Sequence, residues 1–330
     1  MAIVIGTPGP DVFTNANEND DFDGLAAYDV VNRFNQGYRS GTISTAPGTV
    51  TITGSLDTDV YKNIEQIDFV DGRLVFDPTE PLAQVTRLYL ASLDRGPDQA
   101  GLNFWTAQIY GGTSLTAVAQ NFIGSPEFSA RYGTLGNDAF VEQLFLNVLD
   151  RPSDPDGKAF WVSQLDAGAA RADVLIGFSE SQEHRDRTAS INVAGIWDRD
   201  DNAALVARLY DTLFGRLPDK GGLSFWQIQL ESGELTSRQV AQSFLDSAES
   251  RAIYGGTPTA DAYVDALYRN TLDRAPDAEG KAYWVNAINA NTFSRAEVAL
   301  LFSESPEHVQ LTAANVGGES PSEFGILFAS

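Results

Sequence analysis

Three aspartates near the N-terminus, Asp11, Asp20 and Asp29, stand nine residues apart. They occupy the sixth position of three blocks of nine, GTPGPDVFT, NANENDDFD and GLAAYDVVN, over residues 6–32. The eighth position is apolar each time, Phe13, Phe22 and Val31. An apolar residue turned into a narrow core, with one carboxylate per turn beside turn carbonyls, makes an all-oxygen donor set. That is calcium chemistry, and calcium takes roughly six to eight oxygens, so one site needs two turns. Turns on one side of such a coil are 18 residues apart. Asp11 and Asp29 therefore share a side, and Asp20 lies on the other without a partner turn. The other reading is that these aspartates only form turns. Gly6, Gly9 and Gly24 sit where turns need them, whereas Asn15, Glu18 and Ala27 do not match glycine.

A second constellation recurs four times: DRGPDQAGLNFW, DRPSDPDGKAFW, GRLPDKGGLSFW and DRAPDAEGKAYW. Its anchors are Arg95, Arg151, Arg216 and Arg274, then Asp98, Asp154, Asp219 and Asp277. They are followed by Gly101, Gly157, Gly222 and Gly280, and by Trp105, Trp161, Trp226 and Trp284. Four acidic turns offer a second place for calcium. DPDG at Asp154 to Gly157 has the look of an EF-hand centre, but no Asp stands two residues earlier and the twelfth loop position is Ser163 rather than Glu. The structural reading is favoured: Asp caps a helix, Arg bridges carboxylates or helix-end carbonyls, and Gly admits a neighbouring helix. The tryptophans offer flat faces for sugars, yet they keep register with core positions and read as core. A glycan contact is expected instead in the irregular loops at Tyr110-Gly111-Gly112 or Asn289 to Thr292. His184 and His308 occupy matching places beside Glu183 and Glu307 and read as helix-face residues without a metal set. GFSES is not a nucleophile elbow, and no zinc-protease, phosphate-loop or dinucleotide motif occurs. The chain reads as a non-enzyme.

The elements that must position these residues follow from periodicity. Residues 41–77 alternate as strands, with Asp71-Gly72 as a hairpin turn, and Pro78 and Pro81 close that stretch. Each repeat predicts a helix, a tight loop, a capped second helix whose apolar face starts at Phe104 and Trp105, and then one or two more helices. Ser125-Pro126-Glu127 and Ser305-Pro306-Glu307 read as cap, first-turn proline and first-turn acid. The repeats also pair, since Trp105 to Trp226 spans 121 residues and Trp161 to Trp284 spans 123. The expected fold is mainly α: four tandem helical repeats in two duplicated pairs behind a small β-roll-like segment. The expected divisions are residues 1–80, 81–195, 196–315 and a tail, 316–330.

The nonapeptide register resembles the RTX repeat, which forms a calcium-binding parallel β-roll. The stretch DTDVYKNIEQIDFVDGRLVFD is similar to the segment that often follows such turns in bacterial exoproteins. Residues 82–310 resemble the DUF4214 family through the R-x-x-D-x-x-G-x-x-[FY]-W core. Repeat two shifts its proline to Pro152, and repeat three has Gly215 in place of the Asp before Arg. The family resemblance implies an extracellular or surface setting and supplies no catalytic residues. The turn pattern x-P-x-x-x-G-[LK]-x-[FY] is also similar to the helical region that anchors some S-layer proteins to lipopolysaccharide.

Composition points the same way. Acidic residues outnumber basic ones, 45 to 22, for a formal net charge of −23. Such a surface repels nucleic acid and anionic lipid and suits divalent cations. The absence of cysteine removes disulfides, thiolate zinc sites and cysteine nucleophiles. Met1 to Pro10 reads as no signal peptide, and no apolar run reaches membrane-spanning length. The tail ESPSEFGILFAS resembles an uncleaved type I secretion signal; the alternative is a frayed end. The expectation is an exported surface protein that binds surface polysaccharide or lipopolysaccharide in an S-layer, adhesive or matrix role. The alternatives are a self-assembling extracellular module or a carbohydrate-active enzyme.

Overall fold

A computed structural model describes residues 2–14, 19–55 and 57–329. Residues 15–18, with the Asn15 and Glu18 positions of the second nonapeptide block, lie outside the described residues. Among its described residues the N-terminal region holds nine strands: β1 (Ala2–Ile5), β2 (Val12–Thr14), β3 (Asp20–Asp23), β4 (Val30–Arg33), β5 (Thr42–Ala46), β6 (Thr49–Thr53), β7 (Thr58–Lys62), β8 (Gln66–Phe69) and β9 (Gly72–Val75). A tenth, β10 (Ile196–Arg199), comes much later in the chain. One sheet has the order β1-β3-β7-β6-β5 and the other β10-β9-β8-β4-β2.

The nine-residue period is visible in the register. β1 pairs parallel with β3, Ala2 opposite Asp20 and Ile5 opposite Asp23, an offset of two blocks. β3 pairs parallel with β7, Asp21 opposite Val60, and β5 and β6 extend the sheet past β7. The chain thus passes from the first of these sheets to the second three times, β1 to β2, β3 to β4 and β7 to β8. The eighth-position residues Phe13, Phe22 and Val31 are all buried. Phe22 meets Phe13 edge-on with centroids 5.6 Å apart and stacks on Tyr61 at 5.2 Å. A period-two strand with one apolar position per pass can fill so narrow an interior.

Sixteen α-helices follow among the described residues, four per repeat. The first repeat holds α1 (Pro81–Leu93), α2 (Gln99–Tyr110), α3 (Leu115–Ile123) and α4 (Pro126–Tyr132). The second holds α5 (Asn137–Leu149), α6 (Pro155–Asp166), α7 (Arg171–Ser179) and α8 (Gln182–Ala194). The third holds α9 (Asp201–Phe214), α10 (Lys220–Glu231), α11 (Ser237–Leu245) and α12 (Ala248–Tyr254). The fourth holds α13 (Ala260–Leu272), α14 (Ala278–Asn289), α15 (Arg295–Ser303) and α16 (Pro306–Val316).

Two compact units divide the chain. The first comprises Met1–Val31, Ile43–Ile67 and Leu74–Asp198, and the second Asn32–Thr42, Asp68–Arg73 and Arg199–Ser330. In the first, α1 packs on α5 and α7, and α3 packs on α7, around Leu88, Phe122, Phe140 and Phe178. In the second, α9 packs on α13 and α15, and α11 on α15, around Leu209, Phe244, Tyr263 and Phe302. The same contacts therefore close both pairs of repeats.

The end of the first helix of each repeat explains one departure from the motif. Asp94, Asp150 and Asp273 cap these helices in the left-handed region at φ 48°, 50° and 51°, and Gly215 does so at 63°. Glycine is the ordinary residue for such a cap, and Asp tolerates it, so both satisfy one backbone requirement.

The C-terminal tail is tied into the second unit. Ile326 is buried and bridges Val316. The Arg39 guanidinium donates to the carbonyls of Ala314, Ser322 and Phe324 at 2.6–2.8 Å. The frayed-end alternative therefore does not hold at Ile326, whose side chain is buried and whose N–H donates to Asp71 Oδ2, nor at the Arg39-bound carbonyls of Ser322 and Phe324.

Candidate functional site

The N-terminal carboxylates form a ladder on the turn side of the strands. Asp29 Oδ1 accepts from the Asp11 backbone N–H at 2.7 Å, and Glu65 Oε2 accepts from the Asp29 N–H at 2.8 Å. Asp11 Oδ2 closes its own turn by accepting from the Thr7 N–H and hydroxyl. Burial pushes the Glu65 carboxyl above the usual carboxylate range, partly opposed by the Asp29 N–H. Asp20 is placed elsewhere, at the start of β3, where its N–H donates to Asp59 Oδ1 at 3.1 Å.

Asp29 carries the one feature that turn formation does not use. It is fully buried, and its Oδ2 has no hydrogen-bond partner. Beside that oxygen lie Gly24, where a Cβ would collide with it, and the Asn63 carbonyl; the Gly24 carbonyl and Asp11 Oδ2 line the neighbouring Gly6 position. This donor chemistry fits a hard cation, held by Asp29 and Asp11 with turn carbonyls. Among the described residues, no three His, Cys, Asp or Glu side chains converge as metal ligands, so carbonyls would supply most of the shell.

The four Arg-Asp-Gly-Trp loops share one construction. Asp98, Asp154, Asp219 and Asp277 cap α2, α6, α10 and α14 by accepting from the N–H of Gly101, Gly157, Gly222 and Gly280 at 2.7–2.8 Å. Arg95, Arg216 and Arg274 fork onto Glu127, Glu249 and Glu307 at 2.6–3.0 Å. These hydrogen bonds hold the three glutamates below their usual range. Arg151 lies farther from Glu183, at 3.7 Å. Each guanidinium also covers a ring from the preceding helix, Tyr89, Phe145, Tyr210 or Tyr268, at 4.8–5.4 Å. The aspartates are thus engaged in caps, and the glycines face those ring tips. Trp105, Trp161, Trp226 and Trp284 turn inward onto Phe122, Phe178, Phe244 and Phe302 at 5.2–5.5 Å.

The residue before each tryptophan does the opposite. Phe104, Phe160, Phe225 and Tyr283 are 55%, 54%, 55% and 58% exposed. Each meets its tryptophan edge-to-face, 4.8–5.1 Å between centroids. The expectation that Phe104 opens the apolar face is corrected: adjacent helical residues point about 100° apart, and the tryptophan takes the inward direction. Gln108, Gln164 and Gln229 follow one turn after three of the rings.

A family model described as Domain of unknown function (DUF4214) matches residues 82–122, 119–188, 198–254 and 241–312. The chain belongs to the DUF4214 family. No curated protein matches it. Each of the four family matches contains one Arg-Asp-Gly-Trp loop, so the exposed rings and capped loops are features of each DUF4214 match here. Among the described residues no helix is long and apolar enough to cross a membrane.

The histidines of the DUF4214 repeats are interior rather than helix-face residues, because each donates inward. His184 Nδ1 reaches the Ser179 carbonyl at 2.9 Å and His308 Nδ1 the Ser303 carbonyl at 2.8 Å. Burial lowers the His184 pKa. His308 also meets Asp211 at 2.9 Å through Nε2, whereas Leu90 holds the place of Asp211 in the first pair. Tyr110, in one loop expected to meet glycan, donates to Glu80 at 2.6 Å.

Proposed function

We propose that this is a non-catalytic, exported bacterial surface protein whose DUF4214 repeats bind surface polysaccharide or lipopolysaccharide in an S-layer, adhesive or matrix role. The observation that carries the reading is the set of four exposed rings at one repeated position. An aromatic face in water is a platform for the apolar face of a pyranose ring, and the half-buried tryptophan behind fixes its direction. The glutamine one turn on supplies amide donors and acceptors for hydroxyls. A polymer repeats its units, so weak equivalent contacts along one chain add through effective concentration. The acidic surface, the RTX-like register and the type I signal-like tail support an extracellular setting. Calcium is the cation proposed for the Asp11 and Asp29 turns; there it would neutralise the buried carboxylate and tie successive turns together.

Cosedimentation with purified bacterial surface polysaccharide, in calcium and in chelator, tests this. Saturable pelleting is expected, weakened at least tenfold in the combined variant Phe104→Ala, Phe160→Ala, Phe225→Ala, Tyr283→Ala, with its thermal midpoint little changed. Loss of pelleting in chelator supports the calcium-linked form. No pelleting in either condition, with light scattering showing assembly of the protein alone, favours a protein–protein module instead.

A further inference from the structure

The N-terminal β region ends in an open rung. β1 is the last strand of one sheet and β2 the last strand of the other. Ile3, Ile5 and Val12, on these two strands, are 71%, 65% and 67% exposed, the highest values among the large apolar side chains of the described residues. A free strand edge is a template for pairing, and proteins commonly guard it with charge, proline or a bulge. β1 (AIVI) and β2 (VFT) contain no charged residue and no proline.

Hydrogen bonds fix which backbone groups the two edges leave over. The Gly6 N–H donates to the Asp23 carbonyl of β3, so Gly6 and Val4 face that strand. Backbone groups alternate sides along a strand, and those of Ile3 and Ile5 therefore face away from the sheet. In the second sheet the Val30 N–H of β4 donates to the Asp11 carbonyl. Asp11 and Phe13 face β4 in the same way, and Val12 and Thr14 face outward. Each edge thus presents two outward residues around one inward residue, Val4 or Phe13. These two stand nine residues apart, at the same place in the nonapeptide register.

Such an edge is its own complement. In an antiparallel pair, residues that exchange both hydrogen bonds alternate with residues that exchange none. A two-fold axis through Val4 and Phe13 sets Ile3 of one copy opposite Ile5 of the other, and Val12 opposite Thr14, all as exchanging pairs. The isoleucines then cover one another across the strands. A single extended peptide would cover the edge of one sheet and leave the other bare. A basic partner would find no carboxylate on these strands, although the whole chain carries −23. An uncharged edge is also where two copies so acidic repel least. We infer that two copies of this chain pair end to end through β1 and β2, continuing both sheets across a two-fold axis. Strand edges of four and three residues fall short of the roughly 800 Å² per partner of a standard interface, so the dimer is weak and depends on concentration. It does not depend on what the helical repeats bind.

Sedimentation equilibrium of the full chain, up to millimolar protein, tests this. The mass is expected to rise from 35.7 kDa towards twice that value, and to rise further in high salt, which screens the repulsion between copies. Ile5→Pro removes an outward N–H and leaves the Gly6 bond to β3 in place; proline is tolerated at such an edge position. Val12→Glu adds a like charge to the other strand through a side chain already in water. Each is expected to weaken dimerisation at least tenfold. Val12→Glu is expected to keep the thermal midpoint, so it decides the matter if Ile5→Pro lowers it. The chain has no cysteine, which allows the register to be read by cross-linking. An equimolar mixture of Ile3→Cys and Ile5→Cys is expected to form the mixed disulfide faster than either variant forms its own. A monomer at every concentration overturns the proposal. So does dimerisation that Val12→Glu leaves unchanged, faster cross-linking within either cysteine variant alone, or dissociation by salt, which would assign the contact to charges.

Discussion

At the residue scale, the glycine of R-x-x-D-x-x-G answers to a single atom. A Cβ at Gly101, Gly222 or Gly280 would collide with the hydroxyl of Tyr89, Tyr210 or Tyr268. At Gly157 the neighbour is Phe145, which has no hydroxyl, and its ring tip stands 3.1 Å from the Cβ position. Gly101→Ala is therefore expected to destabilise by about 1–3 kcal/mol, the usual cost of overpacking. Tyr89→Phe should restore most of that loss, because it removes the colliding oxygen. Gly157→Ala should be milder, since the helical preference of alanine offsets part of the strain. A double-mutant cycle in urea checks the coupling; additive effects of Gly101→Ala and Tyr89→Phe would contradict it. Burial, chiefly, pushes the Tyr89 phenol up to about 12, so this hydroxyl stays protonated through neutral pH. The Arg, Asp, Gly and Trp positions were legible in the sequence because their spacing repeats four times. The exposure of Phe104 was not, because only α3, which supplies Phe122, decides which of two adjacent rings faces inward.

At the element scale, each pair of repeats is closed by an arginine of its first helix. Arg87 on α1 forks onto Glu180 at 2.6–2.8 Å, and Arg208 on α9 forks onto Glu304. Arg87 is 2% and Arg208 6% exposed, so neither charge has water to fall back on. Removing one partner of a buried pair leaves an uncompensated charge at a cost of about 3–5 kcal/mol. Glu304→Gln should approach the lower end, because part of Glu304 reaches solvent. Replacing both members, Arg208→Met with Glu304→Leu, should recover most of the loss. Urea midpoints of the two variants check this; equal losses would show that packing rather than the charge pair holds α9 to α15. The strings SESQEH and SESPEH, at residues 179–184 and 303–308, hold matching places in the two duplicated pairs. Their glutamates' role was not legible, because the partner arginines lie 93 and 96 residues earlier.

At the scale of the whole molecule, two sets of carboxyls pull stability in opposite directions with pH. Glu127, Glu249 and Glu307 are lowered by their arginines, and Glu142 is lowered to about 2 by the Ser153 hydroxyl first and then Lys158. For these, the unfolded chain binds protons first, so their stabilisation is present at neutral pH and is lost as pH falls below the ordinary glutamate value. Asp71 shows the reverse. Burial raises it to about 6, although its oxygens accept from the Tyr38 and Ile326 N–H groups at 2.9 and 2.7 Å. Asp200 moves the same way, through burial and then the neighbouring Glu231. Here the native state holds the proton longer, so stability falls as pH rises from the ordinary aspartate value through about 6. For Asp71 alone the difference is on the order of 3 kcal/mol between the protonated and neutral-pH conditions. The net charge of −23 at pH 7 adds self-repulsion of the same sign, fading towards the pI near 4.3. The thermal midpoint should therefore peak between roughly pH 4.5 and 5.5 and decline towards pH 8. Asp71→Asn should flatten the decline between pH 5 and 7, because it removes the group that titrates there; its absolute stability also reflects one lost backbone bond, so the slope is the readout. Scanning calorimetry at constant ionic strength measures both. A maximum at pH 7 or above would mean that the arginine-held glutamates outweigh the buried aspartates, and a parallel curve for Asp71→Asn would place the titrating group elsewhere.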